Sequence, residues 1–158
     1  MMTVAASTMV SAPPATVCDV YAEYRSWPRL FPTIKGVRLL RREGAALVLE
    51  VDHLEGTVIN ELLVRPPDEI SLREVHRRFD ALFINRFQAI PGGTRFTVTG
   101  EIHLSGAARL LQPFLPGYVR KRMERLQLQP VKAEAEARAR RAAEGEHANN
   151  DVPGSNRN

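Results

Sequence analysis

At 158 residues the chain has the length of one domain with a single buried core. Its 44% hydrophobic and 25% charged residues are those of an ordinary globular protein, and they exclude collagen-like repetition and general disorder. The net charge of +4 is uneven: residues 117–143 hold eight Lys/Arg against three Glu, and the remainder holds fourteen basic against fifteen acidic residues. The single cysteine, Cys18, has no intrachain partner, and no Cys/His spacing fits a zinc site, so neither disulfide, metal nor cofactor is expected. No apolar run approaches the roughly 20 residues of a membrane-spanning helix and no secretion signal is legible, which makes the cytoplasm the expected location.

Residues 3–10 read as a first strand whose alternation is diluted by Ala and Ser. Pro13 and Pro14 suit the first turn of a helix, and Val17, Val20, Tyr21 and Tyr24 follow at i, i+3, i+4 and i+7. A second short helix is expected from Ser26 through Trp27, Leu30 and Phe31 to Pro32. From Val37 to Leu104 the chain reads as a meander of strands, with turns at Glu43-Gly44, Glu55-Gly56, Pro66-Pro67-Asp68 and Pro91-Gly92-Gly93. Its last two strands alternate most clearly. Ala81, Phe83, Asn85, Phe87 and Ala89 share one face, as do Phe96, Val98, Gly100, Ile102 and Leu104. A lead-in helix is expected after Ser105 and the main helix from Pro116, with an apolar stripe of Val119, Met123, Leu126, Pro130, Ala133 and Ala137 and a kink or break near Leu126–Pro130. The domain is expected to cover residues 1–144, and the Asn-, Gly- and Ser-rich residues 145–158 to be a disordered tail.

The order strand, two short helices, six-strand meander and long C-terminal helix resembles the START-like (SRPBCC, Bet v 1-like) superfamily, over about residues 3–140. The segments SAPPATVCDVYAEYRSWPRLFP and PGGTRFTVTGEIHL and the helix after them carry the resemblance. It implies an α+β helix-grip fold, a curved antiparallel sheet of about seven strands around the long helix, with a cavity for an apolar ligand. The Trp-Pro-x-Leu-Phe segment looks like the polyketide aromatase/cyclase branch, which makes Trp27 and Phe31 pocket candidates. The fourth strand of those cyclases presents aromatic, hydroxyl and arginine side chains inward. Here the reading puts Ile59, Glu61, Leu63 and Arg65 there, and only Arg65 matches.

On that assignment Glu61 and Asn85 are polar groups in an apolar cavity, each in need of a hydrogen-bond partner or a ligand's polar end. Glu61 and Arg65 are the candidate catalytic pair, and the bland alternative is an ion pair between them at the cavity mouth. Tyr24, Trp27, Phe31, Ile59, Leu63, Phe83, Phe87, Val98, Tyr118 and Met123 complete the expected ligand wall, with ordinary core packing as their alternative. Tyr24, Trp27 and Tyr118 carry polar tips that favour ligand contact. His53, His76 and His103 are read as structural or exposed, and Cys18 as a small apolar filler.

Arg120, Lys121, Arg122 and Arg125 form a basic helix face. It suits an anionic membrane or an acidic partner, against the alternative of a solvated surface. No interleaved aromatics or motif suggest nucleic acid. Three functions remain open: a carrier or sensor of a lipid, isoprenoid or polyketide; a polyketide cyclase or dehydratase using the same cavity; and an interaction protein with a collapsed cavity.

Overall fold

The computed structural model describes residues 1–76 and 79–150. Strands β1 (Met2–Val10), β2 (Ile34–Glu43), β3 (Ala46–His53), β4 (Gly56–Arg65), β5 (Glu69–Val75), β6 (Phe79–Ile90) and β7 (Gly93–Leu104) form one antiparallel sheet in the order β1-β7-β6-β5-β4-β3-β2. Helix α1 (Pro14–Ala22), a 3₁₀ turn at Tyr24–Ser26 and helix α2 (Trp27–Leu30) connect the two edge strands. After β7 come a 3₁₀ segment (Gly106–Phe114), helix α3 (Leu115–Met123), a π-helical turn (Glu124–Leu128) and helix α4 (Gln129–Asn150). The fold is the expected helix grip. The helix continues through Gly145 to Asn150, beyond the boundary expected at residue 144, because residues 137–148 are rich in Ala, Arg and Glu and only one glycine interrupts them. Residues 151–158 of the expected tail lie outside the described residues.

Alternation decides which side chains face the helix. Met2, Val4, Ala6 and Val10 of β1, Ala81, Phe83, Asn85 and Phe87 of β6, and Phe96, Val98, Gly100 and Ile102 of β7 are all buried. Pro14 occupies the first turn of α1, where its missing N–H costs nothing, and Val17, Cys18, Val20 and Tyr21 are that helix's buried face. The edge strand β2 carries Lys35, Arg38, Arg41 and Arg42 and two register shifts against β3, features that discourage pairing with another chain.

The long helix departs from its expected stripe. Pro130 has no N–H for the Leu126 carbonyl four residues back, and the preceding turn widens so that the Gln129 N–H bonds the Glu124 carbonyl. The helix neither breaks nor stops. One added residue turns everything after it by about 100°, so the buried positions run Met123, Leu128, Val131 and Ala135, while Ala133 is exposed and Ala137 only half-buried. Helix α4 is tied to the rest by Lys132 Nζ donating to the Met9 carbonyl at 2.6 Å and by Arg138 bridging Glu134 and Glu23 at 2.8 and 2.9 Å.

The β6–β7 hairpin packs tightly against the end of β1. Thr94 Oγ1 donates to the Ala12 carbonyl at 2.7 Å, and a Cβ at Gly93 would lie 2.0 Å from the Val10 carbonyl oxygen. Gly93 also has φ +155°, a conformation that side chains disfavour. Gly93→Ala is therefore expected to cost more than about 1 kcal/mol in urea denaturation, with both clash and backbone contributing.

Candidate functional site

Between the inward face of the sheet and the first half of the C-terminal helix lies a cavity of ≈ 460 Å³, within the usual range for small-molecule sites. Its floor rests on an aromatic cluster. Tyr21, Trp27 and Phe31 meet edge to face at centroid distances of 5.8–5.9 Å, and Tyr21 also meets Phe96, which stacks on Phe87 at 5.1 Å. The Trp27 indole N–H donates to the Tyr21 carbonyl at 2.8 Å, which fixes α2 on α1. Its polar tip therefore serves the fold, and Trp27 presents only ring surface to the cavity.

The upper wall comes from the sheet on one side and α3 on the other. Register places Leu49, Asn60, Glu74, Ala81, Ile102 and Met2 in one cross-strand row, and Leu62, Leu72, Phe83, Gly100 and Val4 in the next. Gly100 leaves room for the Phe83 ring, since a Cβ there would stand 3.0 Å from it. Facing these rows, Leu115, Val119, Arg122, Met123, Leu126 and Gln127 line the cavity from the helix. The Arg122 guanidinium pairs with Glu55 at 3.0 Å, joining α3 to the β3–β4 turn beside the opening.

Polar groups within this apolar enclosure are few. Glu74 follows Ile70 and Leu72 on the inward face of β5. Its accessible surface opens onto the cavity, while protein surrounds it on all sides, and burial raises its carboxyl pKa to about 7 despite the opposing charge of Arg122. Asn60 is its direct neighbour across β4–β5 and is 1% exposed. His53 lines the cavity near the mouth, where burial and then Arg122 lower its pKa and favour the neutral ring. His76 also lines it, stacked on Phe79 at 5.1 Å. The Gln127 Oε1 on the π turn is buried with no hydrogen-bond partner among the described residues. Burial pushes the Tyr21 hydroxyl pKa up, the Glu74 charge adds to this, and the Asn85 side chain works against it. Asn60 and Glu74 can orient a ligand's polar end, and a carboxyl that titrates near neutrality can also accept or donate a proton.

The sequence-derived candidates divide. Trp27, Phe31, Phe83 and Met123 line the cavity. Asn85, Phe87 and Val98 are buried beneath it as core, with the Asn85 Nδ2 donating to the Ile70 carbonyl at 3.2 Å and its Oδ1 unpartnered among the described residues. Tyr24 is buried outside the cavity lining, its ring under Arg25, and Tyr118 is 60% exposed.

The structure sets β4 one residue out of phase with the expected alternation, so its four candidates leave the cavity. Val58, Asn60 and Leu62 point inward, whereas Ile59, Glu61, Leu63 and Arg65 lie on the opposite face. There Glu61 stands across from Arg73, and Arg65 pairs with Glu69 at 3.1 Å rather than with Glu61. The inward set Val58, Asn60, Leu62 and Val64 carries no charge, and that was the signal available in the sequence. Glu74 was equally legible as an acid in phase with Ile70 and Leu72. His53 and His76, read as structural or exposed, both reach the cavity wall. Of the basic face, Arg120, Lys121 and Arg125 are exposed while Arg122 turns to the cavity. Cys18 is buried and burial raises its thiol pKa to about 11, as suits a filler. No group of three His, Cys, Asp or Glu among the described residues is placed to hold a metal, and no helix among them is long and apolar enough to cross a membrane.

A family model described as polyketide cyclase / dehydrase and lipid transport matches residues 1–136. Comparison with curated proteins finds no match. Among solved structures, a Streptomyces aromatase/cyclase superposes with TM-score 0.70 at 21% identity, over 89% of this chain and 97% of that one. A START superfamily protein from Mycobacterium smegmatis gives TM-score 0.64 at 17% identity, over 89% and 98%. A di-domain ARO/CYC from the steffimycin biosynthetic pathway gives TM-score 0.74 at 14% identity over 90% of this chain, which spans only 51% of that larger protein. These likenesses concern the fold.

Glu74 yields a prediction about pH. Below about pH 4.5 its carboxyl is protonated in folded and unfolded chains alike; from there to about 7 the unfolded chain ionises while the folded one keeps its proton. The folded state then binds more protons, so stability falls as pH rises through that window and stays reduced above it. Glu74→Gln removes the effect. The variant's stability relative to the parent should rise by about 3 kcal/mol between those limits in urea titrations, and parallel curves would refute the assignment.

Proposed function

As the chain belongs to the polyketide cyclase/dehydrase and lipid-transport family, we infer that its cavity binds a hydrophobic small molecule, a lipid, isoprenoid or polyketide, as a carrier or sensor. The observation that carries this reading is the distribution of polarity: a mostly apolar chamber of ≈ 460 Å³ with Asn60 and Glu74 side by side in its wall. Burial of the ligand's apolar body supplies affinity at roughly 25 cal/mol per Å² of surface removed from water, before the costs of association. Asn60 and Glu74 give the ligand a polar end to align, and the neutral form of Glu74 is able to donate as well as accept.

A cyclase or dehydratase is the second reading, and one observation favours it: the Glu74 carboxyl titrates near neutrality, where a general acid or base is most effective. In that reading the apolar wall folds the chain of a polyketide and Glu74 moves a proton. Glu74 thus takes the role that the sequence suggested for Glu61.

Two experiments test these readings. Ala81, 1% exposed in the row between Glu74 and Ile102, has its side chain against the cavity, so Ala81→Phe should fill it. Affinity for a neutral apolar fluorophore such as N-phenylnaphthylamine should drop at least about tenfold with folding intact, and unchanged binding would place the fluorophore elsewhere. Offered polyketide substrates, an enzyme should lose about a hundredfold or more in turnover with Glu74→Gln. A carrier should convert nothing in either form and change only in affinity.

A further inference from the structure

The segment that covers the cavity has a second face. Leu110, Leu111, Phe114 and Tyr118 are exposed by 80, 57, 80 and 60%, in a protein whose other large apolar side chains are mostly buried. Four such residues within nine positions form a patch of the kind that marks an interaction surface. Charge accompanies it: from Gly106 to Arg125 there are five basic residues, Arg109, Arg120, Lys121, Arg122 and Arg125, against the single acid Glu124. Phe114, at the end of the 3₁₀ segment, and Tyr118 and Lys121 on α3 recur at i, i+4 and i+7 as one exposed stripe, while Leu115, Val119 and Arg122 line the cavity from the other side of α3. Leu54, 64% exposed on the turn that carries Glu55, adds an apolar side chain at the opposite lip of the opening.

We propose that this patch, Leu110, Leu111, Phe114 and Tyr118 framed by Arg109, Arg120, Lys121 and Arg125, docks the protein on an anionic lipid bilayer with the cavity opening toward the surface. The composition fits an interfacial element: leucine and phenylalanine enter the headgroup boundary, tyrosine sits at its level, and the basic side chains meet anionic headgroups. Neither signal alone anchors a protein firmly, and here both occupy one segment. A second copy of this chain fits less well, since a two-fold contact would bring the same basic side chains together without acids to answer them. Docking would set α3 between bilayer and cavity, so a ligand could pass between them with little exposure to water.

The test is flotation of the full chain with vesicles of phosphatidylcholine, with and without about 30 mol% phosphatidylglycerol. The parent should bind the anionic vesicles at least about tenfold more strongly than the neutral ones. Leu110→Glu/Phe114→Glu should abolish that binding without moving the thermal midpoint, since both side chains are exposed. Arg120→Glu/Lys121→Glu, also at exposed positions, should do the same and guards against a folding defect in the first variant. Failure of the parent to bind anionic vesicles, or binding that survives both variants, would overturn the proposal.

Discussion

The widened turn at Glu124–Leu128 is the constraint on which the rest of the molecule depends. A single regular helix would present one stripe along its whole length, and the sheet would have to treat both halves alike. The extra residue lets the halves differ. Before it, Leu115, Val119, Arg122 and Met123 stand against open space; after it, Leu128, Val131 and Ala135 are packed without a gap. Pro130 makes the arrangement durable, because it cannot supply the N–H that a regular ladder would require at that point. Cavity and core thus share one helix and one sheet.

Holding a carboxyl inside such an enclosure has a thermodynamic cost that the surrounding residues only partly offset. Arg122 opposes the rise in the Glu74 pKa, yet it is itself engaged with Glu55 at the mouth. The cavity wall also holds the Gln127 Oε1, unpartnered among the described residues. A fold selected for stability alone would place an apolar residue at position 74, next to Leu72. Polar groups kept at such a cost are commoner at working sites than in ordinary cores.

Much of this was legible in the sequence. The turns at Gly44, Gly56, Pro66-Pro67 and Gly92-Gly93 punctuate the strands where glycine and proline must, and β6 and β7 announce their faces because their alternating sets are strongly apolar. On β4 both alternate sets contain aliphatic residues, Val58 and Leu62 on one and Ile59 and Leu63 on the other. Alternation alone cannot separate them; the absence of charge from the first set is what marks it as the inward one. The phase change in the long helix was hidden for a different reason: Pro130 signals a disturbance but does not say whether the helix bends, ends or gains a residue. Tertiary partners decide that. Spacing alone groups Arg122 with its basic neighbours, and only the position of Glu55 on a distant turn separates it from them.

Strand order carries a last consequence, for the chain as it emerges from the ribosome. β1 has no partner until β7 is made, since Met2 pairs with Ile102 and Val10 with Thr94. Nearly the whole meander must be synthesised before the first strand can join the sheet, and the cavity needs Gln127 as well as Met2. Such long-range closure is slow relative to local hairpin formation. The chamber is therefore among the last features to form, and a molecule that binds only the closed chamber will hold the first strand and the start of the long helix in place at once.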